Sequence, residues 1–204
     1  MPDRKPYHHG NLRDTLLEAS LELIREKGVR EFTLREVARR AGVSHAAPYR
    51  HFREKEDLLA AIAEGGFDRL TIAMRSAAAK PHDPFRRLRN AGIAYIEFAQ
   101  EQPEHFHVMF TVDLDEAHHP SAKAAAGRCF AELLGLVTAC QQAQLLKGPP
   151  ETAALMAWIQ VHGIAELALR GQLGFRSRKE LREFATMTLD VFGRGSELAT
   201  PRKP

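Results

Sequence analysis

Apolar residues recur every three or four positions along most of the chain, and no segment alternates apolar with polar residues up to a hairpin turn. That pattern predicts an all-α protein of about nine helices. The first, from about Asn11 to Lys27, carries Leu12, Leu16, Ala19 and Leu23 on one face and stops at Gly28. Two short helices follow within residues 33–58. A fourth begins near Glu54 and runs through Leu58, Leu59, Ile62, Phe67 and Leu70 to about Ala79. Each residue of its Gly65-Gly66 pair costs about 1 kcal/mol against Ala, which fits a bend or a close packing contact.

Punctuation divides the rest. Pro81-His82-Asp83-Pro84 marks a boundary, with Asp83 placed to cap and Pro84 to open a fifth helix through Ile93, Tyr95, Ile96 and Phe98 to about Gln102. Pro103 restarts a short helix with His105, Phe106, Met109 and Phe110. After a polar loop around Asp113 to His119, a long helix is expected from about Pro120 to Leu146. Gly148-Pro149-Pro150 separates it from an eighth helix, about Glu151 to Arg170. The box Ser177-Arg178-Lys179-Glu180 opens a ninth that ends near Gly193, and residues 199–204 form a disordered tail.

Residues 33–58 carry the functional signal. Thr33-Leu34-Arg35-Glu36 reads as a capping box, flanked by Phe32 and Val37 as a hydrophobic staple. Leu34, Val37, Ala38 and Ala41 give that helix an apolar stripe, and Gly42 ends it. Val43 plugs the turn and Ser44 is placed to cap the next helix, His45 to Phe52. An ordinary solvated face mixes Glu with Lys. This one offers Tyr49, Arg50, His45 and His51, with no acid between Ser44 and Arg53. Two short helices joined by a tight turn, the second too polar to serve mainly as core, are how a helix-turn-helix presents itself to the DNA major groove.

The segment resembles the DNA-binding region of TetR-type transcriptional regulators. Phe32, Thr33, Val37, Ala38, Ala41, Gly42, Val43, Ser44, Tyr49, His51, Phe52, Lys55 and Leu58 match the family pattern at its spacing. Two departures stand at its centre. Ala46-Ala47-Pro48 replaces the Gly-Thr-Leu or Gly-Thr-Ile that family members often carry, so Ala47 lacks a hydroxyl that commonly contacts DNA. Pro48 removes an N–H from the first turn, which predicts an irregular or late start to the reading helix. Further on, Trp158, His162 and Gly163 resemble the W-x-x-x-H-G signature of a C-terminal subclass of the same regulators.

Charge sharpens this picture without carrying it. The net charge is only +3, and residues 1–60 hold twelve Lys and Arg against ten Asp and Glu. A chain so nearly neutral is not a nonspecific coat for nucleic acid; its basic groups act by position. Arg4 and Lys5 sit on an N-terminal arm, Arg50 and His51 on the reading helix, and Lys55 just after it. The acids Asp14, Glu18, Glu22 and Glu26 gather on the first helix. No run of 18 apolar residues and no secretory leader predict a chain without a membrane span. Cys129 and Cys140, eleven residues apart on one helix, would lie roughly 16 Å apart along its axis, too far for a disulfide. A reducing cytoplasm fits them.

Candidate chemistry points to binding rather than catalysis. No phosphate loop, nucleophile elbow or metalloprotease helix is present, and His105 and His107 splay apart on their helix. The loop with Asp113, Asp115, Glu116, His118 and His119 lacks a tetrahedral ligand spacing and reads as a solvated acidic loop, so neither a metal nor a cofactor is expected. Phe106, Met109 and Phe110 on one helix, with Trp158 and His162 on another, could line an apolar pocket or simply be core.

With the resemblance, the expectation is a homodimeric regulator, of repressor type, released from a palindromic double-stranded operator by a small-molecule effector. Residues 1–58 would read DNA and residues 59–198 would bind effector and dimerise through the eighth and ninth helices, the latter carrying Leu181, Phe184, Leu189 and Phe192. Thr33, Ser44, Tyr49, His51 and Lys55 would meet phosphates, and His45, Ala46 and Arg50, beside Ala47, would meet bases. A metal-dependent helical enzyme and a ligand-binding protein without DNA recognition are the alternatives.

Overall fold

The structure, a computed structural model, describes residues 12–113 and 115–195, with side chains to residue 191. The arm with Arg4 and Lys5, Asn11, Phe192 and the tail of residues 199–204 lie outside the described residues or side chains.

Eight α-helices and one 3-10 turn account for the regular structure, and no strand occurs among the described residues. They are α1 (Leu12–Lys27), α2 (Leu34–Arg40), the 3-10 turn (Pro48–Arg50), α3 (Lys55–Ala78), α4 (Pro84–Glu101), α5 (Pro103–Thr111), α6 (Pro120–Gln142), α7 (Pro150–Leu169) and α8 (Arg178–Gly195). α1, α2 and the turn form a small N-terminal head. α3 runs out of it and packs against α4, α5 and α6, while α7 and α8 close over α4. Leu16, Leu58, Ile62, Leu70, Ile96 and Phe106 are fully buried along one core that continues from the head into the larger part.

Local chemistry explains most boundaries. Proline occupies the first turn of α4, α5, α6 and α7, where its missing N–H has no intrahelical partner to lose. Asp83 caps α4 by accepting from the N–H groups of Phe85 and Arg86 at 2.8 and 3.2 Å. At α8, Ser177 Oγ accepts from Glu180 N, but Glu180 reaches the N–H of Arg176, one residue upstream of the expected partner.

Two expectations need correction. The third expected helix, His45 to Phe52, is not an α-helix; its regular part is the 3-10 turn at Pro48–Arg50. The long helix stops at Gln142, four residues short of Leu146. Leu145 N bonds Cys140 O and Gln144 N bonds Gln141 O, a Schellman ending with Gln144, rather than glycine, at φ 60°. Apart from these, α7 is the one helix among the described residues long and apolar enough to cross a membrane, a property that the core helix of a protein with no membrane span shares. Only its inner face is buried, through Ala153, Ala154, Ala157, Val161, Ile164 and Ala165; Met156 and Ile159 lie outward, 55% and 66% exposed.

The Gly65-Gly66 pair marks close packing rather than a break. A Cβ on Gly66 would fall 2.6 Å from Met109 Sδ, so α5 rests directly on the α3 backbone there.

Candidate DNA-reading surface and ligand cavity

The head is held by local hydrogen bonds that follow its sequence pattern. Thr33 Oγ1 accepts from Glu36 N at 3.3 Å and donates to Glu36 Oε2 at 3.1 Å, and Thr33 N donates to the same carboxylate at 2.9 Å. Lys27 Nζ meets the other oxygen at 2.6 Å. These bonds, that from Lys27 first, lower the Glu36 pKa to about 2. Arg40 at the end of α2 forks onto Glu22 and Glu26 of α1, so two of the first helix's acids hold the head together. Gly42, at φ 70°, turns the chain out of α2.

The segment expected to be the reading helix departs from the expectation. Ala47 N bonds Ser44 O, Arg50 N bonds Ala47 O, and Pro48 O accepts from both His51 N and Phe52 N at 2.9 Å. The result is a chain of turns around a 3-10 core whose N-cap is Ala47, with no side-chain cap; Ser44 takes part through its carbonyl. The cause lies in the composition. Pro48 has no N–H to enter an α-ladder, and both its ring and the Phe52 ring are buried, pinning the segment at two points four residues apart. Between and before these anchors Ser44, His45, Ala46, Tyr49, Arg50 and His51 are exposed, and Ala47 is half-buried. Thr33 is exposed beside them with its hydroxyl occupied by Glu36. Lys55 is tucked in: Nζ donates to Arg30 O at 2.9 Å and stands 4.2 Å from the centre of the Phe32 ring, and burial lowers its pKa.

In the larger part, helices α3 to α8 surround a cavity of about 400 Å³. Its wall is apolar: Phe67, Leu70 and Met74 from α3, Phe85 and Leu88 from α4, Phe130 and Leu133 from α6, Val161 from α7 and Leu189 from α8. Of the five pocket candidates, Phe110 and Trp158 line it. Phe106, Met109 and His162 do not; they pack beneath it. Phe106 and Met109 are buried in the core, and the His162 ring lies 5.4 Å from Phe106 and 4.5 Å from Phe110 between ring centres. Trp158 Nε1 donates to Tyr95 Oη at 3.2 Å, and Tyr95 Oη and His162 Nδ1 share a hydrogen bond at 2.8 Å. Burial lowers the His162 pKa and raises that of Tyr95.

Tyr95, Cys129 and Arg89 also line the cavity. Sequence reasoning missed Arg89, although it stands four residues after Phe85 on the same stripe of α4, an arginine where the pattern calls for an apolar residue. Its Nη1 meets Asp190 of α8 at 2.9 and 3.1 Å. In the loop before α6, His118 pairs with Asp115 at 2.6 Å and His119 leans to 3.6 Å from Asp57; no three His, Cys, Asp or Glu side chains converge there or elsewhere among the described residues.

Comparisons with known proteins agree with this arrangement. Residues 16–62 match the family described as bacterial regulatory proteins, tetR family, and residues 88–192, just over half the chain, match the tetracyclin repressor-like C-terminal domain. The HTH-type transcriptional repressor KstR2 of Mycobacterium tuberculosis is 30% identical over 115 residues, 56% of either chain, so the match spans about half the length of that relative. A solved protein of unknown function from Rhodococcus sp. RHA1 is 35% identical, covers 95% of this chain and 99% of its own, and superposes with a TM-score of 0.82. The regulator FadR from Bacillus subtilis, solved with stearoyl-CoA, shares the fold at 16% identity and TM-score 0.74, covering 89% of this chain and 98% of its own. With both parts of the chain matched, head and cavity alike, this protein belongs to the TetR family of bacterial regulatory proteins.

Proposed function

We propose that the chain is a homodimeric, ligand-responsive transcriptional repressor that reads a near-palindromic operator in the cytoplasm. One observation carries this reading: α3 begins inside the head at Lys55, and Phe67, Leu70 and Met74 of the same helix form a cavity wall. A ligand that fits the cavity better at one tilt of α3 would change how the head presents itself, to the extent of its differential affinity.

In this reading residues 1–58 form the DNA-binding unit and 59–198 the effector and dimerisation unit. Arg50, His45 and Ala46, with Ala47 alongside, would meet base edges; Thr33, Ser44, Tyr49 and His51 would meet phosphates. Lys55 joins the phosphate set with its two remaining N–H donors. Dimerisation would use the outer faces of α7 and α8, which expose Leu155, Met156, Ile159, Met187 and Val191. An apolar row on two adjacent helices suits a four-helix contact between copies, with half-sites roughly 34–36 Å apart. Membership of a family of regulatory proteins favours this over an enzyme.

The test begins with duplexes selected from a random pool by the purified protein. Arg50→Ala should weaken the selected site by about 1–3 kcal/mol and relax preference at one position of each half-site. Unchanged affinity and preference would remove Arg50 from the base contacts. Lys55→Ala should lower the salt slope by about 1 for every sequence; an unchanged slope would assign Lys55 to holding the Arg30 loop alone. No selected sequence at all would leave a ligand-binding protein without DNA recognition.

A further inference from the structure

The cavity offers an occupant almost no polar surface, although several of its lining residues carry polar atoms. Those groups are engaged within the protein. Trp158 Nε1 is spent on Tyr95 Oη, which also shares a hydrogen bond with His162. The Cys129 thiol is buried, and burial raises its pKa, which keeps it protonated at neutral pH. Arg89 is the one charged residue on the wall among the described residues. Its Nη1 meets both oxygens of Asp190, and its Nε is buried out of an occupant's reach. What faces the space is carbon, including the rings of Phe67, Phe85, Phe110 and Phe130.

That chemistry decides what can enter. An ionised group brought inside would leave water and meet neither a free counter-charge nor a free donor, the costliest kind of burial. An apolar surface gains from the same transfer in proportion to its area. Size sets a second limit. At the roughly 30 Å³ that one water occupies in the liquid, a space of about 400 Å³ holds on the order of a dozen carbon-sized groups.

We propose that the ligand of this cavity is an uncharged, largely hydrocarbon molecule of about a dozen carbons, with no ionised group inside the walls. The assignment rests on the ligand-cavity reading above and adds the ligand's class. Affinity then comes from buried apolar area and contact with the aromatic rings. The Arg89–Asp190 pair serves the protein rather than the occupant, tying α4 to α8.

The experiment follows the fluorescence of Trp158, the chain's single tryptophan and a cavity-lining residue, in the full-length protein, with calorimetry beside it. Probes are hexylbenzene, methyl 4-propylbenzoate, 4-butylbenzoate, 4-butylbenzylammonium and dodecanoyl-CoA. The ester and the carboxylate have equal numbers of non-hydrogen atoms, so their ratio reads charge and not size. Hexylbenzene and the ester should bind about a hundredfold or more tightly than either ion. Ala126 is half-buried on the wall. Ala126→Phe should fill part of the space and weaken the ester roughly tenfold or more. The smaller Ala126→Leu, expected to weaken it less, keeps the test open should the phenylalanine prevent folding. Arg89→Gln combined with Asp190→Asn should leave ester affinity within about twofold; a larger loss in folded protein would make Arg89 part of the ligand site and overturn the assignment. Equal binding of ester and carboxylate, or tighter binding of either ion, overturns the uncharged class and leaves the cavity reading standing. Tightest binding by the thioester overturns it in favour of a charged amphiphile. Neutral probes that bind both Ala126 variants as they bind wild type sit elsewhere, which also overturns it. No binding of any probe overturns both.

Discussion

At the residue scale, Glu36 shows how a short motif becomes a pH dependence. Its pKa is held at about 2 against an ordinary 4.5, so its bonds to Lys27 and Thr33 favour the folded state above about pH 4.5 and fade as pH falls toward 2. Glu36→Gln should flatten the acid limb of a stability-versus-pH curve in that window; a curve parallel to wild type would mean another carboxylate dominates. The box was legible because all its parts lie within four residues. Gln144 was not, since nothing in its side chain announces a left-handed turn. There Gln144→Gly should add about 1 kcal/mol, raising the thermal midpoint by about 2–4 °C in a chain of this size. Arg89 was illegible for another reason: an arginine on a helix looks like any surface arginine until the neighbouring helices are placed around it.

At the element scale, the sequence pattern located every helix from its caps and prolines, and failed where two signals competed. Ser44 promised an ordinary cap, while Pro48 and Phe52 demanded burial four residues apart; the anchors won, and the segment expected to read DNA became a 3-10 turn. Aromatic residues posed the opposite difficulty. Phe106 and Phe110 share a helix and a spacing that suits pocket or core, and only tertiary placement puts Phe110 at the cavity and Phe106 beneath it. α7 is apolar on both faces, one against the core and one outward. Ile159→Glu on the outer face should yield a folded monomer by sedimentation and circular dichroism, and weaken operator binding about a hundredfold or more by dividing the two heads. A dimer that persists would place the interface elsewhere.

At the scale of the whole molecule, the links from head to cavity include the continuous α3, the Arg25–Glu104 ion pair between α1 and α5 at 2.6 Å, and His119 beside Asp57. Gly66 lies on this route, with Met109 of α5 against its backbone. Gly66→Ala would force Met109 aside, so operator affinity should change severalfold in ligand-free protein. Unaltered affinity and thermal midpoint would mean that Met109 moves away at no cost. The bare backbone at Gly66 also supplies a fulcrum. Counted along the helix, Lys55 stands roughly 16 Å to one side of it and Met74 roughly 12 Å to the other. A stiff rod rocking on that point turns about 2 Å of motion at the cavity into nearly 3 Å of opposite motion at the head. In a symmetric pair the two displacements add, so a shift no larger than a few bond lengths inside each subunit becomes a change in reach that a fixed groove spacing cannot absorb.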